Sequence, residues 1–212
     1  MRITLLSAFL LASGITSAAA PIDGWYSSVF GGYTYIPGNV ENYTFGYFLN
    51  NSSFNKGYNA GARVGFQSNP LRYEAEYTFL HANAKAFQFN SIQQDYVYGF
   101  TTANMIMANV YYDTPEILPA IAPFLGVGIG YAYVQERLNS IGPVINTFFS
   151  MDNGSFAYQG TIGLTYNFAT NYSANLAYRY VATSSSDVFG NIFQAHIANA
   201  GVVYRFDNGN YK

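Results

Sequence analysis

From about residue 25 to residue 206 the chain alternates apolar and polar positions nearly everywhere and shows helical periodicity almost nowhere. The alternation predicts eight strands, over 25–36, 58–68, 71–81, 96–113, 122–136, 154–168, 172–182 and 193–206. The connections differ in kind. Two are minimal, Asn69-Pro70 and the ATN of 169–171, and the TPEILPAI of 114–121 is intermediate. The other four, 37–57, 82–95, 137–153 and 183–192, are longer and mostly polar. Short turns at one end and long loops at the other predict a closed, antiparallel, up-and-down β-barrel of eight strands.

Splitting each strand by parity shows which face is apolar. In 58–68, Tyr58, Ala60, Ala62, Val64 and Phe66 oppose Asn59, Gly61, Arg63, Gly65 and Gln67. In 154–168, Phe156, Tyr158, Ile162, Leu164, Tyr166 and Phe168 oppose Ala157, Gln159, Thr161, Gly163, Thr165 and Asn167. The apolar faces carry aromatics near their ends and aliphatic or small residues between, which is the pattern of two interfacial girdles around a hydrocarbon band. The polar faces hold Gly, Asn, Thr and Gln and are too poor in Lys and Glu for a solvated surface. The apolar side therefore faces outward, into lipid, and most of the strands have the length of tilted membrane-crossing strands. The fold expected is all-β, a transmembrane barrel.

Composition agrees. The chain is 50% hydrophobic and 19% aromatic but only 9% charged, a mixture ill suited to an aqueous surface. A net charge of −2 offers no basic surface for nucleic acid, and the absence of cysteine excludes a disulfide framework and Cys-ligated metals. No cofactor or metal-ligand spacing is present. The segment MRITLLSAFLLASGITSAAAP has a basic start, a short apolar run and small residues, as a secretory signal does. Its apolar core is shorter than the ~20 residues of a spanning helix. Cleavage after Ala19 is expected, making residues 1–19 a signal peptide.

Charge is scarce, so its placement is informative. In LRYEAEYTFL (71–80) the residues Arg72, Glu74 and Glu76 share the inward face. A tight hairpin at Asn69-Pro70 sets Gln67 opposite Arg72, Gly65 opposite Glu74 and Arg63 opposite Glu76. A one-residue slip would send the charges into lipid at ~2–4 kcal/mol for each mid-membrane Arg, so register is well specified. The hairpin at 169–171 brings Arg179 opposite Thr161 at similar height. An interior cluster of Arg63, Glu74, Glu76 and Arg179 is expected, filling a lumen that eight strands make narrow. The rival role for the same cluster is a switchable gate.

Several stretches resemble the eight-stranded outer-membrane barrels of the OmpA, opacity-protein and bacterial surface-antigen type. They are GWYSSVFGGY (24–33), MANVYYD (107–113), PFLGVGIGYAY (123–133) and HIANAGVVYRF (196–206). The last is similar to the signal read by the barrel-assembly machinery, with Val202, Tyr204 and Phe206 facing outward. The resemblance implies a barrel over 20–206, a short periplasmic tail over 207–212 and a place in the outer membrane of a Gram-negative bacterium.

Some small outer-membrane barrels modify lipids, using a His beside a Ser or an acidic partner. Here only His81 and His196 are available, on strands that are not neighbours, and position 198 is Ala. Both fall at the rim on the lipid-facing side, which suits contact with lipopolysaccharide headgroups. The expected function is a non-enzymatic surface protein whose loops make adhesion or antigen-like contacts with a host or matrix ligand. A small gated pore is the alternative, and a lipid-modifying enzyme a more distant one.

Overall fold

The structure is a computed structural model that describes residues 23–37, 42–44, 47–89, 91–118, 120–142, 146–184 and 192–206. In chain order its strands are β1 (Gly24–Tyr35), β2 (Asn42–Thr44), β3 (Tyr47–Phe54), β4 (Gly57–Ser68), β5 (Leu71–Phe89), β6 (Ile92–Gln93), β7 (Tyr98–Asp113), β8 (Ile121–Ser140), β9 (Thr147–Asn167), β10 (Tyr172–Thr183) and β11 (Gln194–Arg205). Eight of these form the ring β1-β4-β5-β7-β8-β9-β10-β11, each antiparallel to both neighbours. Pairing of β1 with β11, from Tyr26↔Arg205 to Tyr35↔His196, closes it. No ring strand is left with a free edge, the condition for placing a sheet in hydrocarbon.

Side chains follow the parity read from the sequence. The outward faces carry an aliphatic belt that includes Val29, Val64, Ile106, Val127, Ile129, Ile162, Leu176 and Val202, all exposed. At the turn end the belt is rimmed by aromatics, among them Trp25 on Phe66 (ring centroids 5.6 Å apart) and Tyr172 on Tyr204 (5.1 Å). Tyr33, Tyr58, Tyr131, Tyr158 and Tyr178 rim the loop end. From Trp25 to Tyr33 the strand rises roughly 26 Å, or roughly 20 Å along the barrel axis at a tilt near 40°, most of the ~25 Å apolar band of an outer-membrane barrel.

Three ring strands are longer than the alternation predicts. β5 runs to Phe89 rather than 81, β8 runs to Ser140 rather than 136, and β9 starts at Thr147 rather than 154. The expected loop 37–57 also supplies β2 and β3, and β3 pairs with the upper part of β5 through Leu49↔Phe89 and Phe54↔Ala84. The reason is an apolar core inside the barrel mouth. Leu80, Ala82, Ala84, Val134, Leu138 and Ile197 point inward there, and Phe54 and Phe87 pack among them. Burial of these side chains stabilises strand structure well beyond the membrane band. The interior is thus polar and charged in its turn-side half and largely apolar in its loop-side half, where Thr101, Glu136 and Ser140 are buried among the apolar groups, whereas the parity of 58–68 and 154–168 alone suggested a polar face throughout.

Glycines make the interior possible. On β8, Gly126 faces the Tyr111 ring, Gly128 faces the Asn109 amide and Gly130 faces Met107. A Cβ at these positions would lie 2.2, 1.9 and 2.7 Å from those side chains. β7 can therefore project large groups into the lumen at this height, where the neighbouring β8 contributes only glycines.

Candidate functional site in the barrel interior

The turn-side half of the lumen holds a layer of ion pairs. The hairpin β4–β5 has the register Gln67↔Arg72, Gly65↔Glu74 and Arg63↔Glu76, and β9–β10 sets Arg179 opposite Thr161. Even parity on β5 points Arg72, Glu74 and Glu76 inward, and all three are buried. Arg63 lies on the same face of the sheet, and Arg179 reaches across from the far wall.

Glu76 is the hub. Its Oε2 accepts from Arg63 Nε at 2.7 Å, and its Oε1 accepts from Thr78 Oγ1 at 2.9 Å and pairs with Arg179 Nη1. Glu74 stands one step nearer the turns. It accepts from the Tyr26 hydroxyl at 2.5 Å and lies 3.4 Å from Arg72 Nη1 and 3.5 Å from Arg63 Nε. Buried carboxylates are tolerated only where charge and hydrogen bonds replace water, and each of these has both. Aromatic faces complete the packing. Arg63 and Arg179 lie over the Phe30 ring at 4.1 and 4.8 Å, and Arg72 lies between Tyr111 (5.0 Å) and Phe124 (4.7 Å).

The four residues named from sequence therefore sit together, but the layer is larger than they are. Arg72, Asp113 and Arg205 extend it toward the turns, with Arg72 Nε 2.8 Å from Asp113 Oδ2. Arg72 shares the parity of Glu74 and Glu76 and was legible. Asp113 and Arg205 are the last inward-facing residues of β7 and β11, and only ring closure shows that they meet. Phe30, Tyr26, Tyr111 and Phe124 are aromatics on inward faces. A rule that assigns aromatics to lipid misses them.

Below this layer a cavity of about 420 Å³ opens between the turns, lined by Gln67, Arg72, Asp113, Glu116, Asn167 and Arg205 among others. Above it, the apolar mouth carries one buried acid, Glu136, whose Oε1 has no hydrogen-bond partner.

The histidines lie apart. His81 on β5 stacks near Tyr58 (5.3 Å) and Phe100 (5.6 Å), and its Nε2 is 3.2 Å from Asn83 Oδ1. His196 on β11 is 2.6 Å from the Tyr178 hydroxyl through Nδ1 and packs against Tyr180 and Tyr35. β4 and β1 separate them in the ring. Val202, Tyr204 and Phe206 are exposed along the outer face of β11, with Phe206 edge-on to Tyr204 at 5.3 Å.

Comparison with known proteins gives the same architecture. Residues 6–206 match the family model for the outer membrane protein beta-barrel domain. Neisserial surface protein A shares 16% identity with a TM-score of 0.58, covering 86% of this chain and 97% of that one. The outer membrane protein OprG of Pseudomonas aeruginosa shares 11% identity with a TM-score of 0.54, covering 88% of this chain and 99% of its own. An uncharacterised protein of Brucella abortus (strain 2308) is 31% identical over 90 residues, which are 40% of this chain and 31% of the relative. The chain thus spans about a third of the length of the curated relatives it matches.

Proposed function

The chain belongs to the outer-membrane β-barrel family of Gram-negative bacteria, and on that premise we propose that it is a non-enzymatic surface protein whose contacts are made by its extracellular loops. The observation that carries this reading is the filling of the lumen in two layers. Glu76, held by Arg63 and Arg179, lies in a charged layer, and Leu80, Met105, Val134 and Ile197 form an apolar layer beyond it. Such a barrel is a rigid pedestal, and the surface it presents for contact is the loop end. There Tyr96 is 81% exposed and Phe148 is 79% exposed, beyond the girdle and clear of lipid, as aromatic contact groups for a protein or glycan are.

Within the membrane the partners are lipid and, at the outer rim, lipopolysaccharide, met by the girdle around His81 and His196. Val202, Tyr204 and Phe206 serve as the signal for the barrel-assembly machinery, and residues 1–19 as the export signal. Expression on intact cells tests the reading. Cells displaying the protein should adhere to host-cell or matrix-coated surfaces above a vector control, and replacing 91–97 or 141–146 by short glycine-serine linkers should abolish the gain. Adhesion equal to the control, with the barrel folded and surface-exposed, would overturn it.

A further inference from the structure

The cavity at the turn end has a feature that sealing the lumen does not require. Four guanidiniums, Arg63, Arg72, Arg179 and Arg205, occupy the charged layer against three carboxylates, Glu74, Glu76 and Asp113. Arg63, Arg72 and Arg179 each have a carboxylate within ion-pair distance. Arg205 has none among the described residues. Its Nε donates to Gln67 Oε1 at 3.4 Å and its Nη2 to Asn167 Oδ1 at 3.0 Å, both neutral acceptors. Its Nη1 is buried with no partner at all. A sequestered cation whose direct partners are two neutral amides, with Asp113 near but beyond ion-pair distance, is costly, and an anion in contact with it relieves the cost. Arg205 lines the 420 Å³ cavity, which opens on the side of the short turns, the periplasmic side of such barrels.

We propose that this cavity binds a small carboxylate-bearing solute from the periplasm, anchored by Arg205. Three observations select the ligand. A guanidinium fork pairs bidentately with a carboxylate, and the long stem lets the head swing to present its orphan N–H. In the cavity wall Arg72 and Arg205 stand against Asp113 and Glu116, and Arg72 is already paired with Asp113, so Arg205 is the cation left for a monoanion. A dianion would overcompensate and would face Asp113 and Glu116, which share the cavity wall. The amides of Gln67 and Asn167 and the Thr165 hydroxyl remain to hydrogen-bond a short polar body. A free acid and the C-terminus of a short peptide share this chemistry.

Calorimetric titration of the purified, detergent-folded barrel tests the proposal. Propionate represents a free acid, N-acetyl-Ala-Ala a peptide terminus, and N-acetyl-Ala-Ala amide and inorganic phosphate are the controls. Propionate or the peptide acid should bind, the amide should not, and phosphate should bind more weakly than the better of the two acids. The better of the two names the source. Arg205→Gln should lose at least about thirtyfold in affinity, and Arg205→Lys, which keeps the charge without the fork, should lose less. Heat-modifiable gel migration establishes that each variant is folded. Absence of carboxylate binding, phosphate binding as tightly as carboxylate, or affinity unchanged in folded Arg205→Gln or Arg205→Lys overturns the proposal.

Discussion

Glu76 receives Arg63 from its own hairpin, at 2.7 Å, and Arg179 from the opposite wall, so one carboxylate ties the two sides of the barrel together. Neither arginine is free to leave, because each also lies on the face of Phe30. Glu76→Ala removes the shared anion, leaving buried Arg179 without a carboxylate and Arg63 with only the longer contact to Glu74. The barrel should then lose about 3–5 kcal/mol of unfolding free energy in urea titrations of the folded protein in lipid vesicles. Replacing Arg63 with Met in the Glu76→Ala background should recover part of the loss, giving a coupling energy of about 1 kcal/mol or more in a double-mutant cycle. Additive losses would show that the pair does not act as a unit.

The close fit between β7 and β8 gives a second prediction. A Cβ at Gly128 meets the Asn109 Oδ1 at 1.9 Å, and Asn109 also accepts from Gln159 Nε2 at 2.6 Å. Gly128→Val should therefore cost about 1–3 kcal/mol through overpacking, or stall folding into vesicles. Gly160 points outward, with nothing within 4 Å of an added Cβ. Gly160→Ala should leave the urea midpoint unchanged or slightly higher, because alanine loses less entropy on entering a strand. Equal damage at both sites would refute the fit as the reason for the β8 glycines.

Glu136 is buried in the apolar mouth between Val134 and Leu138, and its Oε1 lacks a partner. Burying a carboxyl without full hydrogen bonding costs free energy that an apolar side chain of similar volume does not incur. Glu136→Met should raise unfolding free energy by about 1–3 kcal/mol, read as a higher urea midpoint with an unchanged slope. A lower midpoint would mean that the carboxyl has a stabilising role at the mouth.

How much of this was legible in the sequence depends on what each inference used. Parity alone orients every residue of a strand, so Val64, Ile162 and Leu164 were placed outward and Arg63, Glu74 and Glu76 inward without reference to tertiary structure. A two-residue turn fixes register, so Arg63↔Glu76 followed from Asn69-Pro70. Contacts across the lumen needed the ring itself. Arg205 meets Gln67 and Asn167 from different strands, a coincidence of stagger that no local pattern encodes. The extensions of β5, β8 and β9 were missed for a related reason. Residues such as Ala84, Leu138 and Met151 look like loop residues until the mouth they share makes them a core.

The two layers of the lumen make a last prediction, about conduction. Ions entering from the periplasm meet the 420 Å³ cavity and then the charged layer, which polar substitutions can open. Beyond it Leu80, Met105, Met107, Val134 and Ile197 form an apolar constriction that offers few groups to replace an ion's hydration shell. Arg63→Ala or Glu76→Gln alone should therefore leave planar-bilayer conductance at the low level expected of the native barrel. Adding Leu80→Ser and Ile197→Ser to Glu76→Gln should raise it in discrete steps. If a single substitution in the charged layer opens the barrel, that layer is the gate, and the small-pore reading replaces the surface-pedestal one. If the combined variant stays closed while folded, the apolar layer is not what seals the barrel.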